Sequence, residues 1–254
     1  MASIAFITGA TSGFGKATAY KFAAHGYDVI INGRRADRLQ QVADDIETKY
    51  NVAVMQLPFD VRNEEVVFSS IRSLPANWKK IDVLVNNAGL AAGRDYFEEA
   101  SLDDWNTMID TNVKGFLYVA RAVAELMISN KQGHIINLGS IAGKEVYEKG
   151  NVYCASKFAV DALNQAMRID LLRHQIKVTA INPGAAETEF SLVRFKGDEA
   201  TAKKIYDGIE PLHAEDIADV IYYCASLPAH VCINDLTLTC TRQASNVYFN
   251  RQPG

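Results

Sequence analysis

The sequence is poor in cysteine and proline and has no long apolar run. Its four cysteines, Cys154, Cys224, Cys232 and Cys240, show no CxxC spacing and no matching histidine cluster. We therefore expect free thiols, and neither a zinc site, another metal site nor a redox dithiol. No apolar run reaches the roughly 18 residues that a spanning helix needs, and a strand-like run begins at once without a basic leader segment. These absences predict a cytoplasmic protein with no membrane partner.

An excess of positive charge is also missing. The 254 residues carry 26 lysines and arginines against 30 aspartates and glutamates, a formal net charge of -4. Without a basic footprint, binding to nucleic acid is not expected. A chain of this length could bury roughly 70 to 75 per cent of its unfolded surface in one core. Because no linker, repeat or low-complexity stretch is visible, we predict a single domain over residues 1–254.

Short apolar runs alternate with helix-like segments along the whole chain. Because parallel strands need crossovers and crossovers are right-handed, this pattern predicts an α/β fold. The expected architecture is a Rossmann-like, doubly wound, seven-stranded parallel sheet of order 3-2-1-4-5-6-7, with helices on both faces. One long apolar helix is predicted over residues 104–128, behind a capping sequence at Ser101. The predicted strands are residues 3–8, 27–32, 52–57, 81–86, 134–138, 177–182 and a run near 236–240.

Glycines follow the first predicted strand directly and precede a helix-like segment at residues 16–25. The sequence Gly9-Ala-Thr-Ser-Gly13-Phe-Gly15 lets the backbone turn tightly and approach a pyrophosphate at the positive end of the helix dipole. Its GxxxGxG spacing departs from the GxGxxG fingerprint, and glycine-rich turns also occur without a ligand. The order of strand, turn and helix favours a dinucleotide site.

Tyr153 and Lys157 stand four residues apart, so a helix would place the phenol and the ammonium on one face. A neighbouring cation can favour the phenolate and so lower the phenol's ordinary pKa of about 10. The spacing alone could arise by chance in a chain with 11 tyrosines. Ser140 ends a strand-like run, where a hydroxyl can donate to a substrate oxygen. Together the three residues predict a site of proton transfer.

Six short motifs follow one another along the chain and carry a family resemblance. They are Thr8-Gly9-x-x-x-Gly13-x-Gly15, Asn86-Asn87-Ala88-Gly89, Asn112, Ser140, Tyr153-x-x-x-Lys157 and Asn182-Pro183-Gly184. In them the chain resembles the short-chain dehydrogenase/reductases over nearly its whole length. The resemblance implies an enzyme in which Ser140 orients a carbonyl and Tyr153 protonates it. It also implies that Lys157 lowers the phenol's pKa and binds the nicotinamide ribose, and that Asn112 holds a water in a proton relay.

The end of the second predicted strand indicates which cofactor binds. An acidic residue there would hold the ribose hydroxyls of NAD, whereas an arginine accommodates the 2′-phosphate of NADP. The chain has Arg34 and Arg35 and no carboxylate, which predicts NADP, although two arginines could also form a solvated turn. The cofactor-binding residues expected from these patterns and from the resemblance are Gly9, Thr11, Ser12, Gly13, Phe14, Gly15, Arg34, Arg35, Asp60, Val61, Asn87, Ala88, Gly89, Tyr153, Lys157, Pro183, Gly184 and Thr188.

A segment without clear periodicity, about residues 185–208, follows the sixth predicted strand. Loops of this length are usually functional or disordered, and we favour a substrate lid. Residues 182–198 and 227–234 resemble the NADP-dependent serine and 3-hydroxy acid dehydrogenase branch of the family, which also reduces malonic semialdehyde. That resemblance implies a substrate carboxylate, which Arg194 in the lid could bind while Ser140 and Tyr153 contact the reacting oxygen.

Two questions about the substrate stay open. Arg194 could instead pair within the lid with Glu189 or Asp198, in which case Lys196 or Lys144 would meet the carboxylate. The loop at 144–149 beside the predicted active site is unusually charged for a substrate wall, so a more polar substrate is a second reading.

Two other functions compete with a 3-hydroxy acid dehydrogenase. A reductase for bulkier carbonyls would share every catalytic residue. A catalytically idle NADP-binding regulator would lack one of the four catalytic positions, yet Asn112, Ser140, Tyr153 and Lys157 are all present. The resemblance also implies assembly, because the family pairs the helices at 104–128 and 153–173 across a two-fold axis. We therefore expect a homotetramer, a dimer of dimers, whose only other partner is a small-molecule substrate.

Overall fold

Seven short apolar runs of the chain form one parallel sheet. The computed structural model describes residues 2–252, so residues 1 and 253–254 of the predicted domain lie outside the described residues. The strand order is β3-β2-β1-β4-β5-β6-β7 and each neighbouring pair is parallel, which confirms the predicted topology. The strands are β1 Ile4–Ile7, β2 Asp28–Asn32, β3 Val54–Leu57, β4 Val83–Asn86, β5 His134–Leu138, β6 Lys177–Pro183 and β7 Asp235–Leu238.

Helices connect the strands, and the helices Glu64–Arg72 and Leu102–Ile109 each follow a residue whose side chain caps the helix. The side chain of Asn63 accepts from the backbone N–H of Val66, and that of Ser101 accepts from Asp104. Among residues 2–252, no helix is both long enough and apolar enough to cross a membrane. The helices are α1 Gly13–Ala24, α2 Ala36–Tyr50, α3 Glu64–Arg72, α4 Leu102–Ile109, α5 Phe116–Asn130, α6 Asn151–Asp170, α7 Glu189–Arg194, α8 Glu199–Lys204 and α9 Ala214–Ser226, with short 3-10 turns at Ala76–Trp78, Ile141–Gly143 and Leu172–His174.

The sheet separates two apolar layers, because alternate residues of a strand face opposite sides. On β1, Ala5 and Ile7 pack in the layer formed with α1, α2 and α9, whereas Phe6 packs in the layer formed with α3 and α5. Phe22 and Met127 contribute fully buried side chains to the two layers. Both faces of the sheet are therefore covered, as the near-continuous apolar runs of its strands require.

The long helix predicted over residues 104–128 is interrupted. A π-helical segment, Asp110–Gly115, separates α4 from α5. The wider turn lets the backbone of Gly115 approach Val61, where an added Cβ would lie 2.7 Å from Val61 Cγ2. It also carries Asn112 into the protein interior. Apolar periodicity could not reveal this segment, because helical spacing continues on either side of a single widened turn.

The predicted lid contains two short helices, α7 and α8. Thr188 caps α7 by accepting from the backbone N–H of Phe190 at 3.2 Å, and Asp198 caps α8 by accepting from Thr201 at 3.1 Å. Six-residue helices are too short to produce a detectable hydrophobic period, although both N-cap residues are favourable types. The segment therefore contains helices where the sequence showed no pattern, and its action as a substrate lid stays a prediction.

Stability should fall as the pH drops from about 6.5, because of His134. This residue opens β5, and burial, with Lys177 nearby, lowers its pKa from 6.5 to about 3. Below pH 6.5 His134 therefore binds a proton in the unfolded chain but not in the folded chain. The free energy of unfolding should decrease by up to about 1.4 kcal/mol per pH unit, most clearly between pH 6.5 and 5, above the range where most carboxylates titrate.

Denaturant titrations at several pH values would measure this slope. His134→Gln should flatten it, whereas His230→Gln, which changes an exposed histidine, should leave it as in the wild type. Identical slopes in the wild type and His134→Gln would contradict the prediction.

Candidate active site

A cleft of about 880 Å³ opens at the carboxyl edge of the sheet. This is the edge at which open parallel sheets bind ligands. Apart from Gly15 and Asn112, all the site residues predicted from the sequence line this cleft. The fold thus brings together the glycine turn, the arginine pair, the predicted catalytic residues and the lid.

Hydrogen bonds join the glycine turn to the loop after β4. Asn87 Nδ2 donates to the carbonyl oxygen of Thr8 at 2.8 Å, and the backbone N–H groups of Asn87 and Ala88 donate to Thr8 Oγ1 at 2.9 Å. Gly9 has a φ of 68°, and a Cβ there would lie 2.9 Å from Asn87 Nδ2. A Cβ on Gly15 would overlap the carbonyl oxygen of Gly9. Gly15 therefore permits close packing of the turn and is not among the residues that line the cleft, and its contact with the cofactor stays a prediction.

Arg35 reaches from the end of β2 into the glycine turn. Its Nη2 donates to Thr11 Oγ1 at 2.9 Å and to Ser12 Oγ at 3.1 Å. Both terminal nitrogens of Arg35 also lie 3.2 Å from Glu189 Oε2, and Arg38 Nη1 donates to Glu189 Oε1 at 2.7 Å. The sequence analysis missed Glu189 as a partner of these arginines because it lies 154 residues from Arg35 along the chain. Arg38 could have been found by its position one helical turn beyond the pair.

Arg34 is the more exposed arginine and lies 3.9 Å from a carboxylate oxygen of Asp60. Burial would raise the pKa of Asp60, but hydrogen bonds and charge from Arg62, at 2.6 Å, hold it below its usual range. The last residue of β2 is Asn32, whose amide donates to two backbone carbonyls, and not an acidic residue that would bind the ribose hydroxyls of NAD. Two arginines beside a glycine turn at a helix N-terminus fit the 2′-phosphate and pyrophosphate of NADP.

Tyr153 and Lys157 lie one turn apart on α6, as predicted, and both are buried. Ser140 follows β5, and its Oγ accepts from the backbone N–H of Ala142 at 3.1 Å. Its hydroxyl lies near enough to Tyr153 to act on the pKa of the phenol. Lys157 Nζ donates to the carbonyl oxygen of Leu138 at 2.9 Å. The end of β5 and the first turns of α6 therefore place a hydroxyl, a phenol and an ammonium at one wall of the cleft.

Burial dominates the pKa values of this group. It raises the pKa of Tyr153 above the usual range, while the Ser140 hydroxyl and the charge of Arg194 act in the opposite direction. Burial also lowers the pKa of Lys157 to about 8. The phenol's pKa was expected to be lowered by Lys157, but this ammonium is directed to the Leu138 carbonyl and the opposing groups are Ser140 and Arg194. At neutral pH Tyr153 consequently keeps its proton.

The side chain of Asn112 holds the structure behind the cleft. Its Oδ1 accepts from the backbone N–H of Leu90 at 2.8 Å, and its Nδ2 donates to the Leu90 carbonyl at 2.7 Å and to Ser156 Oγ at 3.0 Å. Both amide N–H groups are therefore in use. The relay role implied for Asn112 stays a prediction, and the observed role of its side chain is to fix the loop after β4 against α6.

Arg194 is buried at the end of α7 and faces the predicted catalytic tyrosine. Its Cζ lies 5.4 Å from the ring centre of Tyr147 and 5.5 Å from that of Tyr153. Its Nε and Nη2 have no hydrogen-bond partner within residues 2–252. These two nitrogens form one edge of the guanidinium, which can donate two parallel hydrogen bonds to a carboxylate.

The acidic residues expected as alternative partners of Arg194, and the lysines expected as its substitutes, all form other contacts. Glu189 pairs with two other arginines, and Asp198 caps α8. Lys196 pairs with Asp104 at 2.8 Å, and Lys144 pairs with Asp161 and Asp235. The internal pairing proposed for Arg194 is therefore absent from the described part of the chain, and the two lysines offered as substitutes are not free.

Charged residues of the loop at 144–149 mostly hold that loop in place. Glu145 accepts from the backbone N–H of Asn246, Glu148 accepts from the hydroxyl of Tyr96, and Lys149 lies 4.0 Å from the same ring. The loop after β4, the loop at 144–149, the segment at 185–208 and the final residues of the chain also supply cleft residues that were not among the predicted site residues. These are Arg94, Tyr147, Phe190, Tyr206, Gln243, Asn246, Phe249 and Arg251.

Comparisons with known proteins agree with this geometry. The family model described as short chain dehydrogenase matches residues 3–198. The NADP-dependent 3-hydroxy acid dehydrogenase YdfG of Salmonella typhi is 48% identical over 236 residues, which are 92% of this chain and 94% of that protein. Sulfoacetaldehyde reductase 2 of Chromohalobacter salexigens is 45% identical over 249 residues, 98% of each chain.

A solved structure described as the closed form of serine dehydrogenase complexed with NADP+ has a TM-score of 0.91 with this chain. It is 44% identical, and the match covers 99% of this chain and 100% of that one. Sequence and fold thus lead to the same group of enzymes, and the chain belongs to the short chain dehydrogenase family.

Proposed function

We propose that this single-domain protein is an NADP-dependent oxidoreductase that interconverts small 3-hydroxy acids, serine-like ones included, and oxo forms such as malonic semialdehyde. The observation that carries this proposal is the unpaired Nε and Nη2 edge of Arg194, buried beside the phenol of Tyr153. Similarity to proteins named 3-hydroxy acid dehydrogenase and serine dehydrogenase supports the same chemistry.

The cofactor half of the cleft would be held by the glycine turn and the arginine pair. Backbone N–H groups at the start of α1 suit the pyrophosphate, and Arg34 and Arg35 suit the 2′-phosphate. When bound, NADP supplies or accepts the hydride. Asp60, Val61, Asn87, Ala88 and the other predicted contact residues around the cleft would enclose the adenosine and nicotinamide parts.

The proton is assigned to the phenol of Tyr153. Because burial raises its pKa, Tyr153 holds this proton at neutral pH and can give it to a carbonyl oxygen during reduction. Ser140, whose hydroxyl lowers the pKa of the phenol, would orient the same oxygen, and Lys157 would bind the nicotinamide ribose. Removal of the proton leaves a phenolate that the charge of Arg194 stabilises.

A small sulfonate aldehyde is the second candidate substrate. A guanidinium edge binds sulfonate oxygens as it binds carboxylate oxygens, and the similarity to a sulfoacetaldehyde reductase covers 98% of this chain. Rates of NADPH oxidation with malonic semialdehyde, sulfoacetaldehyde and bulky neutral ketones would rank the candidates. A clear preference for bulky neutral ketones would refute the proposal.

Tyr153→Phe should abolish most turnover while keeping the cofactor. Removing a positioned general acid typically costs roughly 10² to 10⁴ in rate. We therefore expect kcat to fall by at least about a hundredfold and the Kd for NADPH to stay unchanged. Tyr223→Phe, an exposed position on α9, is the matched control and should behave as the wild type. Retention of wild-type kcat by Tyr153→Phe would show that another residue is the acid.

Arg194→Ala should select against charged substrates. Losing a charged hydrogen bond costs roughly 1.5 to 3 kcal/mol, so the KM for 3-hydroxypropanoate should rise by about one to two decades. The KM for 1,3-propanediol, which lacks the carboxylate, should change little. Lys196→Ala is the control: it removes another cation of the lid, one that pairs with Asp104, and it should leave both KM values near the wild type. Equal losses for both substrates in Arg194→Ala would mean that this residue only supports the lid.

Homotetramer assembly and a cytoplasmic location are part of the same proposal. Exposed apolar side chains lie on α4 and α6 and just beyond, at Leu102, Phe158, Ile169 and Leu172. Such surfaces usually mark interfaces. Light scattering at micromolar concentration should give four times the chain mass of 28.0 kDa, and a monomer would contradict it.

The free state of Cys154, Cys224, Cys232 and Cys240 is consistent with a reducing compartment.

A further inference from the structure

Glu189 connects the lid to the arginines that follow β2. Both of its carboxylate oxygens are used, Oε2 by Arg35 at 3.2 Å and Oε1 by Arg38 at 2.7 Å. Burial would raise the pKa of Glu189, but the hydrogen bonds from Arg38 and Arg35 outweigh it and hold the pKa below its usual range. The carboxylate therefore stays charged and paired at neutral pH.

The guanidinium of Arg35 also contacts the glycine turn that is proposed to bind phosphate. Arg35 donates to the hydroxyls of Thr11 and Ser12 while it holds Glu189. An anion that binds Arg35 therefore shares this guanidinium with the carboxylate of Glu189. Position 189 is thus mechanically attached to the part of the cleft that suits the 2′-phosphate.

The opposite end of the same short helix carries the guanidinium assigned to the substrate. α7 runs from Glu189 to Arg194, and at about 1.5 Å per residue the two ends are separated by roughly 7.5 Å. Thr188 caps the helix and lies against Gly13 of the phosphate turn. The backbone carbonyl of Arg194 accepts from the N–H of Gly93 at 3.0 Å. A displacement of one end of such a short helix must therefore displace the other.

We propose that Glu189 is a positioning residue that couples the 2′-phosphate site to the substrate-anion site. By pairing with Arg35 and Arg38 it holds α7 in the place that sets the guanidinium of Arg194 in the cleft. The inference rests on the proposed function, which assigns Arg194 to the substrate anion. Because coupling between two binding sites is reciprocal, the 2′-phosphate strengthens substrate binding and the substrate strengthens binding of the 2′-phosphate.

A merely structural salt bridge would behave differently. The side chains of Glu189, Arg35 and Arg38 are each about two-fifths exposed, at 42%, 41% and 41%. Pairs with that exposure add little to folding stability. The melting temperature should consequently change little when Glu189 is neutralised, and the effect should be found in the linkage between the two ligands.

Calorimetric titration of 3-hydroxypropanoate into the protein saturated with NADPH or NADH tests the coupling without turnover, because neither pair of ligands reacts. The wild type should bind the acid about threefold to fivefold more tightly with NADPH than with NADH. Glu189→Gln should bring this ratio to about one, by weakening binding in the NADPH complex. Glu187→Gln makes the same change at an exposed position two residues earlier in the lid and should keep the wild-type ratio.

Arg38→Gln removes the ion pair between Arg38 and Glu189 and leaves Glu189 in place. Arg38 does not line the cleft, so the cleft itself is not altered. This variant should lower the ratio as well, and it serves if Glu189→Gln fails to fold. Equal affinities in the wild type, or a wild-type ratio in both Glu189→Gln and Arg38→Gln, would overturn the coupling. Arg194→Ala separates the two proposals, since unweakened acid binding in that variant refutes the assigned anion site itself. Weakened binding there, combined with a wild-type ratio in both Glu189→Gln and Arg38→Gln, refutes only the coupling.

Discussion

The hydrogen bonds between Thr8 and Asn87 tie together the two strand ends on which the site depends. β1 and β4 are neighbours in the sheet, yet the chain leaves them toward opposite faces, so a cleft opens between their ends. The Thr8 hydroxyl accepts hydrogen bonds from the backbone N–H groups of Asn87 and Ala88, and the side-chain amide of Asn87 donates to the Thr8 carbonyl. These bonds leave no room for side chains at Gly9 and Gly15. The glycines are needed for this close approach as much as for a ligand.

The substrate half of the cleft is organised around a buried cation. A guanidinium with two unpaired N–H groups in a protein interior is costly unless an anion completes it. Arg194 bears this cost while lying on the rings of Tyr147 and Tyr153, which offset part of it by cation–π contact. The same charge opposes the effect of burial on the phenol of Tyr153. The proposed anion recognition and the proposed proton transfer thus involve one side chain.

The lid links the two halves because α7 has a functional group at each end. Glu189 meets the arginines after β2, and Arg194 meets the tyrosines of the substrate wall. A helix of six residues allows little independent movement of its ends. The proposed coupling between cofactor and substrate thus follows a physical connection between residues that are distant in sequence.

The sequence by itself determined the sheet order, the glycine turn, the Tyr153 and Lys157 pair and the preference for NADP. Those features are local, since strand periodicity, turn chemistry and one helical turn are written within a few neighbouring residues. Only the tertiary structure decided that Lys157 is held by a backbone carbonyl, that Asn112 sits in a π-helical turn and that Glu189 pairs across 154 residues. It also left Nε and Nη2 of Arg194 without a hydrogen-bond partner among residues 2–252. Long-range pairing and desolvation depend on which segments meet in space, and no spacing along the chain encodes that.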